Sequence, residues 1–222
     1  MSTLDIRELT KQFQEKSLDN FRDDNKLDLS AIDAINGTQL SSQERTGPVA
    51  QWIIRYKVHR IGGCTADNLA RIVIDFADNN RSLVSPLTAV QINERFVGLE
   101  RALQHGLHLN DPNAKERAID SLTSKTLWLC YPHVVPILDL NAERALRMLA
   151  RIHAEYVPKA GTRYETFIDA WTFFYSQIES VIALDQLYPY KIRVFDRLLW
   201  WLGQDSFPTA DEILKCGIDV AP

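Results

Sequence analysis

Cysteine is scarce in this sequence, and its three copies are far apart. Cys64, Cys130 and Cys216 form no CxxC pair and show none of the Cys/His spacings typical of metal sites. The pattern argues against a disulfide framework, a zinc site and an iron–sulfur cluster, and it favours a reducing compartment. We therefore expect the protein to have no cofactor.

Long apolar runs are also missing. Nowhere do about 18 uncharged apolar residues follow one another. The N-terminal stretch MSTLDIRELTKQFQEKS carries scattered charges and lacks the apolar segment of a signal peptide. The sequence thus predicts a cytoplasmic protein without a membrane partner, and we expect it to be a monomer.

A strongly basic composition, the usual mark of a nucleic-acid-binding protein, is the third absence, since the net charge is −4. The charge is nevertheless uneven. Residues 1–46 hold six Lys and Arg against nine Asp and Glu, whereas residues 115–163 hold eight against five. A modest basic region therefore lies in the second half of the chain.

Three common catalytic motifs are absent as well. The chain has no Gly-rich phosphate loop, no GxSxG nucleophile elbow and no HExxH pair. Nucleotide hydrolysis, serine hydrolysis and zinc proteolysis thus lack support from the sequence.

Helical periodicity is what the chain does have, while the alternation typical of strands is missing. Helix starts are indicated by the capping box Ser41-x-x-Glu44, with Thr46 and Pro48 as a second possible start of the same helix, by Thr65 and by a last box, Thr209-x-x-Glu212. Asp23 to Asn36 is interpreted as a polar connection, and Gly106 as the end of a helix.

We predict an all-α, compact fold of about nine or ten helices, formed as a single domain over residues 1–222. Two lobes, roughly 1–110 and 111–222 with the site between them, are a further hypothesis.

A lysine and an aspartate stand near two successive helix starts, in the stretch SKTLWLCYPHVVPILDLNAERALRML. Pro132 ends the first helix, and Lys125 is predicted to lie in its first turn, where the helix dipole disfavours an ammonium group. Asp139 precedes an apolar stripe and is predicted to be the N-cap of the next helix, where the same dipole stabilises a carboxylate. Each residue alone is typical of ordinary helix punctuation, and only the pair suggests chemistry.

The pair and its surroundings resemble the helix-hairpin-helix (HhH-GPD) DNA glycosylases. The resemblance covers Leu122-Thr-Ser-Lys125-Thr126 and Val135-Pro-Ile-Leu-Asp139-x-Asn141-x-x-Arg144-x-Leu146, within residues 115–152, about a sixth of the chain. It implies a multi-helix glycosylase fold, a Schiff-base lysine at Lys125, a catalytic aspartate at Asp139 and DNA as the partner.

Two departures mark a divergent member of that family. The family's Leu-Pro-Gly-Val-Gly hairpin is replaced by Asp120-Ser-Leu-Thr-Ser, and the interval from lysine to aspartate is shorter by on the order of 4 residues, one helical turn. The hairpin is therefore degenerate. We expect the hydroxyls of Ser121, Thr123 and Ser124, with helix-start amides, to contact DNA phosphates in place of the glycines.

Two further groups of residues are candidates for DNA contact. Arg144, Arg147 and Arg151 fall within about 60° on a helical wheel, opposite the apolar stripe, and are predicted to follow a phosphate backbone or to face water. An extruded base needs aromatic or apolar walls. The candidates for such a pocket are Trp171, Phe173, Trp201 and His133, although aromatic residues at helical spacing more often belong to a core.

The sequence thus favours a DNA glycosylase, with or without AP-lyase activity, that excises a damaged or modified base by base flipping. A role in DNA repair and a role in antiviral defence, through a modified base in viral DNA, both remain open. The alternative is a non-catalytic helical module that binds DNA or protein, in which Lys125 and Asp139 are only helix punctuation.

Overall fold

The regular structure of this protein is helical wherever the structure describes it. The computed structural model describes residues 5–37, 39–56, 64–80, 87–110 and 119–204. These ranges contain nine α-helices and one short 3-10 helix, and no strand. The prediction of an all-α protein is confirmed. No helix in these ranges has the length and apolar character needed to cross a membrane.

The chain divides into two compact units, and the first and last parts of the sequence belong to the same one. We call the unit formed by residues 1–22 and 136–222 the terminal unit. The unit formed by residues 23–135 is the middle unit. The boundary at 135/136 falls inside the stretch that resembles the glycosylases, so Lys125 belongs to the middle unit and Asp139 to the terminal unit.

The described part of the middle unit contains five helices that follow one another in the chain. They are α2 (Arg22–Asn36, whose first residue lies at the boundary), α3 (Ser42–Arg55), α4 (Ala66–Asn79), α5 (Ala89–Asn110) and α6 (Asp120–Cys130). Helix α4 packs against α3, α5 and α6. Fully enclosed apolar side chains such as Trp52, Ile74, Leu99 and Trp128 form the core of this unit.

The terminal unit is discontinuous in sequence. It contains α1 (Ile6–Lys16), the 3-10 helix Leu18–Phe21, α7 (Leu140–Ile152), α8 (Arg163–Ile178) and α9 (Lys191–Leu202). Helix α7 packs on α8 and α9, and α1 packs on the same two helices. Because α1 is the first helix of the chain, its apolar face with the enclosed Phe13 completes a core otherwise made by the last three of these helices.

Several helix boundaries lie where the sequence predicts them. The Ser41 hydroxyl accepts from Glu44 N at 3.3 Å while Ser41 N donates to the Glu44 carboxylate at 2.8 Å, so the capping box is present. The Thr65 hydroxyl accepts from Asn68 N at 3.2 Å, and Gly203 is the C-cap of α9. These boundaries depend on contacts within a single turn, which is why the sequence reveals them.

The interpretation of Asp23 to Asn36 as a polar connection is wrong, because these residues lie in α2. Polar side chains on this helix face the core. The buried Asp28 carboxylate accepts hydrogen bonds from Trp52 Nε1 and Tyr56 Oη, both at 2.8 Å. A buried carboxylate with two strong donors replaces the apolar residue that periodicity predicts.

Gly106 does not end a helix, because α5 continues to Asn110. A Cβ atom at Gly106 would lie 2.2 Å from Ile72 Cδ1 on α4. The glycine therefore allows close packing of α4 and α5 and has no role as a stop signal. The predicted last helix after Thr209, together with Cys216, lies outside the described residues.

Candidate active site at the start of α7

Asp139 is the N-cap of α7, as the sequence predicts. Its backbone is extended, with φ −142° and ψ 171°. Its Oδ1 atom accepts a hydrogen bond from Ala142 N at 2.8 Å, and its carbonyl oxygen accepts from Glu143 N at 3.0 Å. The carboxylate thus has a defined orientation at the N-terminus of α7.

The chain passes from the core to the surface at Asp139. Ile137 and Leu138 are buried, Asp139 is half-buried, and Leu140 is 58% exposed. The Tyr164 hydroxyl donates to the carbonyl oxygen of Pro136 at 3.4 Å, which attaches this segment to α8. A carboxylate presented at such a boundary is both held by the fold and accessible to a substrate.

A second carboxyl group, Asp196 on α9, is buried beside this segment with 4% exposure. Its oxygens accept hydrogen bonds from Ile137 N at 3.3 and 3.4 Å and from Trp171 Nε1 at 3.0 Å. Burial raises the pKa of Asp196 to about 8, and the Asp139 carboxylate acts in the same direction. The Arg193 guanidinium and the two N–H donors oppose that rise in pKa without cancelling it.

Asp196 is not among the site residues that the sequence predicts, although a signal was available. Asp196 lies four residues after Ile192 and three before Leu199, which places it on the apolar stripe of α9. A charged residue on such a stripe must have buried partners. Those partners come from Ile137 and α8, and helical periodicity cannot identify them.

Trp171, one of the predicted base-pocket residues, is one of those partners. It is 4% exposed, and its indole N–H is used by Asp196. Its ring packs against Phe195 with a centroid distance of 5.2 Å. Trp171 is therefore a core residue that helps to hold Asp196.

Lys125 does not lie in the first turn of its helix, so that prediction is wrong. Helix α6 begins at Asp120 with Ile119 as its N-cap, which makes Lys125 its sixth residue. The effect of the helix dipole falls off within the first turn. Lys125 therefore lies outside the reach of the dipole, and its side chain is half-buried.

The segment that replaces the glycosylase hairpin is helical, because residues 120–124 form the start of α6. Thr123 and Ser124 have no exposed surface, and Ser121 is half-buried. The Ser124 hydroxyl donates to Ser121 O at 3.3 Å, and Thr123 Oγ1 has no hydrogen-bond partner among the described residues. The predicted phosphate contacts of Thr123 and Ser124 do not fit this burial.

The three predicted DNA-contacting arginines, Arg144, Arg147 and Arg151, are exposed along α7. Arg147 Nη2 lies 3.7 Å from Glu143 Oε1, so part of its charge is compensated. Arg151 lies in the last turn, where a cation is favoured by the helix dipole. This face of α7 is thus basic and accessible.

The other predicted pocket residues are Phe173, Trp201 and His133. Phe173 is half-buried against Tyr156 and Phe174, with centroid distances of 5.1 and 5.0 Å. Trp201 is half-buried against Phe13 at 5.6 Å. His133 is exposed in the turn that follows α6. None of the four predicted residues lines the cleft of about 200 Å³ between α7 and α8, which is lined by residues including Glu143, Leu146, Tyr156, Arg163 and Phe167.

Comparison with known proteins does not assign this chain to a family. No protein family matches the chain, and no curated protein or solved structure shows significant similarity to it. The resemblance to the helix-hairpin-helix glycosylases therefore depends on the residues quoted from 115–152. Within the part of the chain that the structure describes, no group of three or more His, Cys, Asp or Glu side chains could hold a metal ion.

Proposed function

We propose that this protein is a DNA N-glycosylase in which Asp139 acts at the sugar of an extruded nucleotide. The observation that carries the proposal is the Asp139 carboxylate, held by Ala142 N at 2.8 Å at the head of α7 and only half-buried at the protein surface. The resemblance assigns the catalytic aspartate to the same residue. The exposed arginines of α7 lie on the helix that Asp139 begins.

Base release requires stabilisation of the positive charge that develops on the sugar, and a fixed carboxylate provides it. As the N-glycosidic bond breaks, its electron pair leaves with the base and positive charge develops on the sugar ring. A preorganised carboxylate stabilises that charge without having to reorient. The hydrogen bond that Asp139 accepts from Ala142 N fixes the carboxyl group in advance, so little reorganisation is needed.

Extrusion of the nucleotide supplies selectivity in this proposal. Removing a base from the stack costs a few kcal/mol, and the cost is smallest for damaged, mismatched or modified bases. The divergence of the hairpin segment from the family pattern favours an unusual substrate. A modified base in viral DNA is the substrate class that would make such an enzyme a defence protein.

In the bifunctional form of the proposal, Lys125 is the nucleophile. This role is assigned by the resemblance to the helix-hairpin-helix glycosylases. Its Nζ atom would attack the anomeric carbon as the base leaves, and ring opening would give a Schiff base. Strand cleavage follows from that intermediate. Without this step, water completes base release and the strand stays intact.

Replacement of Asp139 by Asn tests the first part of the proposal. The variant keeps a hydrogen-bonding N-cap, so the free energy of unfolding should change by well under about 1 kcal/mol. Single-turnover base release from a panel of duplexes, each with one modified base, should fall by about 100-fold or more. Base release by the variant at the parental rate would remove Asp139 from the mechanism.

Borohydride trapping on an abasic duplex tests Lys125. Lys125→Gln should abolish the covalent adduct, whereas Lys26→Gln, at an exposed lysine of the same unit that pairs with Asp23, should leave it unchanged. Excision without strand cleavage by Lys125→Gln would make water the nucleophile. DNA binding with neither trapping nor excision would favour a non-catalytic DNA-binding module, and no binding would favour a protein-interaction module.

A further inference from the structure

We infer that Asp196 is a positioning residue for Asp139, acting through the backbone segment 136–139. This inference rests on the proposed function, because it assigns a role in base release to a group that touches only protein. All of the contacts involved lie within the terminal unit.

Asp196 holds the segment two residues before the catalytic candidate. Both of its carboxyl oxygens lie within 3.4 Å of Ile137 N, and Oδ1 also accepts from Trp171 Nε1 at 3.0 Å. The indole thus fixes the carboxyl group, and the carboxyl group fixes the backbone. Since Asp139 follows Ile137 by two residues, a shift of Ile137 N moves the start of α7.

A second contact holds the same segment from α8. The Tyr164 hydroxyl donates to Pro136 O at 3.4 Å, and Tyr164 is itself buried with 2% exposure. The segment is therefore held at Pro136 by a donor and at Ile137 by an acceptor. Asp139 then completes the start of α7 through its bond from Ala142 N.

The charged and titratable groups around Asp196 come from three elements. Arg193 lies on the same helix, Asp139 lies at the head of α7, and Tyr164 and Tyr175 lie on α8. Because burial raises the pKa of Asp196 to about 8, its carboxyl group is largely protonated at neutral pH. An uncharged side chain of equal size therefore changes mainly the hydrogen bonds.

Asp196→Asn keeps the volume of the side chain but not its hydrogen-bonding capacity. Both oxygens of a carboxyl group can accept hydrogen bonds, whereas an amide has one acceptor oxygen and a donor NH₂ group. One of the two N–H donors at this site must then face another donor. We expect the Ile137 bond to be weakened because Trp171 can retain the remaining oxygen. The result is a looser segment before Asp139.

Amide hydrogen exchange measured by NMR reads out this looseness without any substrate. In Asp196→Asn, the Ala142 amide, which donates to Asp139 Oδ1, should exchange several-fold faster than in the parent. Single-turnover base release should fall by about 10-fold to 100-fold, as expected for a small displacement of a catalytic group. The dissociation constant for DNA should not change.

Asp28→Asn is the matched control. Asp28 is also a buried carboxylate that accepts from an indole, Trp52 Nε1, and from a second donor, Tyr56 Oη. It lies in the middle unit. Its replacement should lower stability in a similar way, yet leave Ala142 exchange and the rate of base release, measured well below the unfolding temperature, at parental values.

Unchanged Ala142 exchange in folded Asp196→Asn overturns the positioning role. Faster exchange supports it, and a parallel fall in base release extends it to the reaction. If the parent releases no base from any duplex, the proposed function fails, while Ala142 exchange still decides the positioning role. If Asp196→Asn does not fold, Trp171→Phe is used instead, because it removes one donor to Asp196. Faster Ala142 exchange in that variant supports the positioning role, and unchanged exchange contradicts it.

Discussion

The Arg163 guanidinium donates two hydrogen bonds to the Glu143 carboxylate, from Nε to Oε1 at 2.9 Å and from Nη2 to Oε2 at 2.5 Å. This bidentate pair joins the first turn of α7 to the first residue of α8. The side chain of Glu143 is only 10% exposed. The hydrogen bonds from Arg163 lower the pKa of Glu143 against the opposing effect of its burial.

Arg163→Met should therefore lower the free energy of unfolding by about 1–3 kcal/mol at neutral pH, because it leaves a buried carboxylate without its main partner. The lowered pKa means that this stabilisation is fully present above the ordinary carboxyl pKa of 4.5 and disappears as pH falls through the folded-state value. Urea unfolding at several pH values should show the parent and the variant converging in acid. Arg147→Met, which removes a 3.7 Å ion pair of a 74% exposed side chain, should cost less than about 1 kcal/mol.

Gly203→Ala should destabilise the terminal unit by about 1–3 kcal/mol. A Cβ atom at Gly203 would lie 1.9 Å from Asn141 O and 2.5 Å from Asn141 C, so the backbones of α7 and α9 would have to move apart. Gly98→Ala is the control, since Gly98 is an exposed residue within α5 and a Cβ atom there meets only Phe76 Cε2, at an ordinary contact distance of 3.6 Å. That change should stabilise by about 0.5–1 kcal/mol. Equal thermal shifts for the two variants would contradict the close approach of Gly203 to Asn141.

Replacing Arg144, Arg147 and Arg151 together by Ser should weaken binding to all DNA sequences alike. The slope of log affinity against log salt concentration should shrink by about 0.9 for each phosphate that the variant no longer neutralises. The control is the triple replacement of Lys11, Lys16 and Arg22, which are exposed basic residues at α1 and the start of α2. It removes the same positive charge from other helices and should change the slope less. The same slope for the parent and the α7 variant would mean that these arginines only face water.

The buried Asp196 should make stability fall as the pH rises. Its folded-state pKa of about 8 is above the ordinary value of 3.8, so between these values the folded state holds a proton that the unfolded state releases. The free energy of unfolding should fall by up to about 1.4 kcal/mol per pH unit in this window and level off above it. Asp196→Asn should remove this component. Parallel stability curves for the parent and the variant from about pH 5 to pH 9 would show that Asp196 does not titrate there.

Local chemistry explains which features could be predicted from the sequence. The caps at Ser41, Thr65 and Asp139 depend on a side chain and an amide three residues later, so both partners are visible in one short stretch. The start of α6 could not be predicted in this way, because its N-cap residue, Ile119, offers no side-chain hydrogen bond. Without that local signal, the sequence pattern places Lys125 too close to the helix start.

The sequence by itself determined the all-α class, several helix boundaries and the place of Asp139 at the head of α7, because the hydrogen bonds and apolar periodicity of a helix are local. Only the tertiary structure decided that Thr123 and Ser124 are buried, that α2 is a helix with buried polar residues and that Trp171 belongs to the core. It also decided the surroundings of Asp196, whose partner Ile137 is 59 residues away in the chain. A buried polar group is stable only with its partner, and packing alone brings such distant partners together.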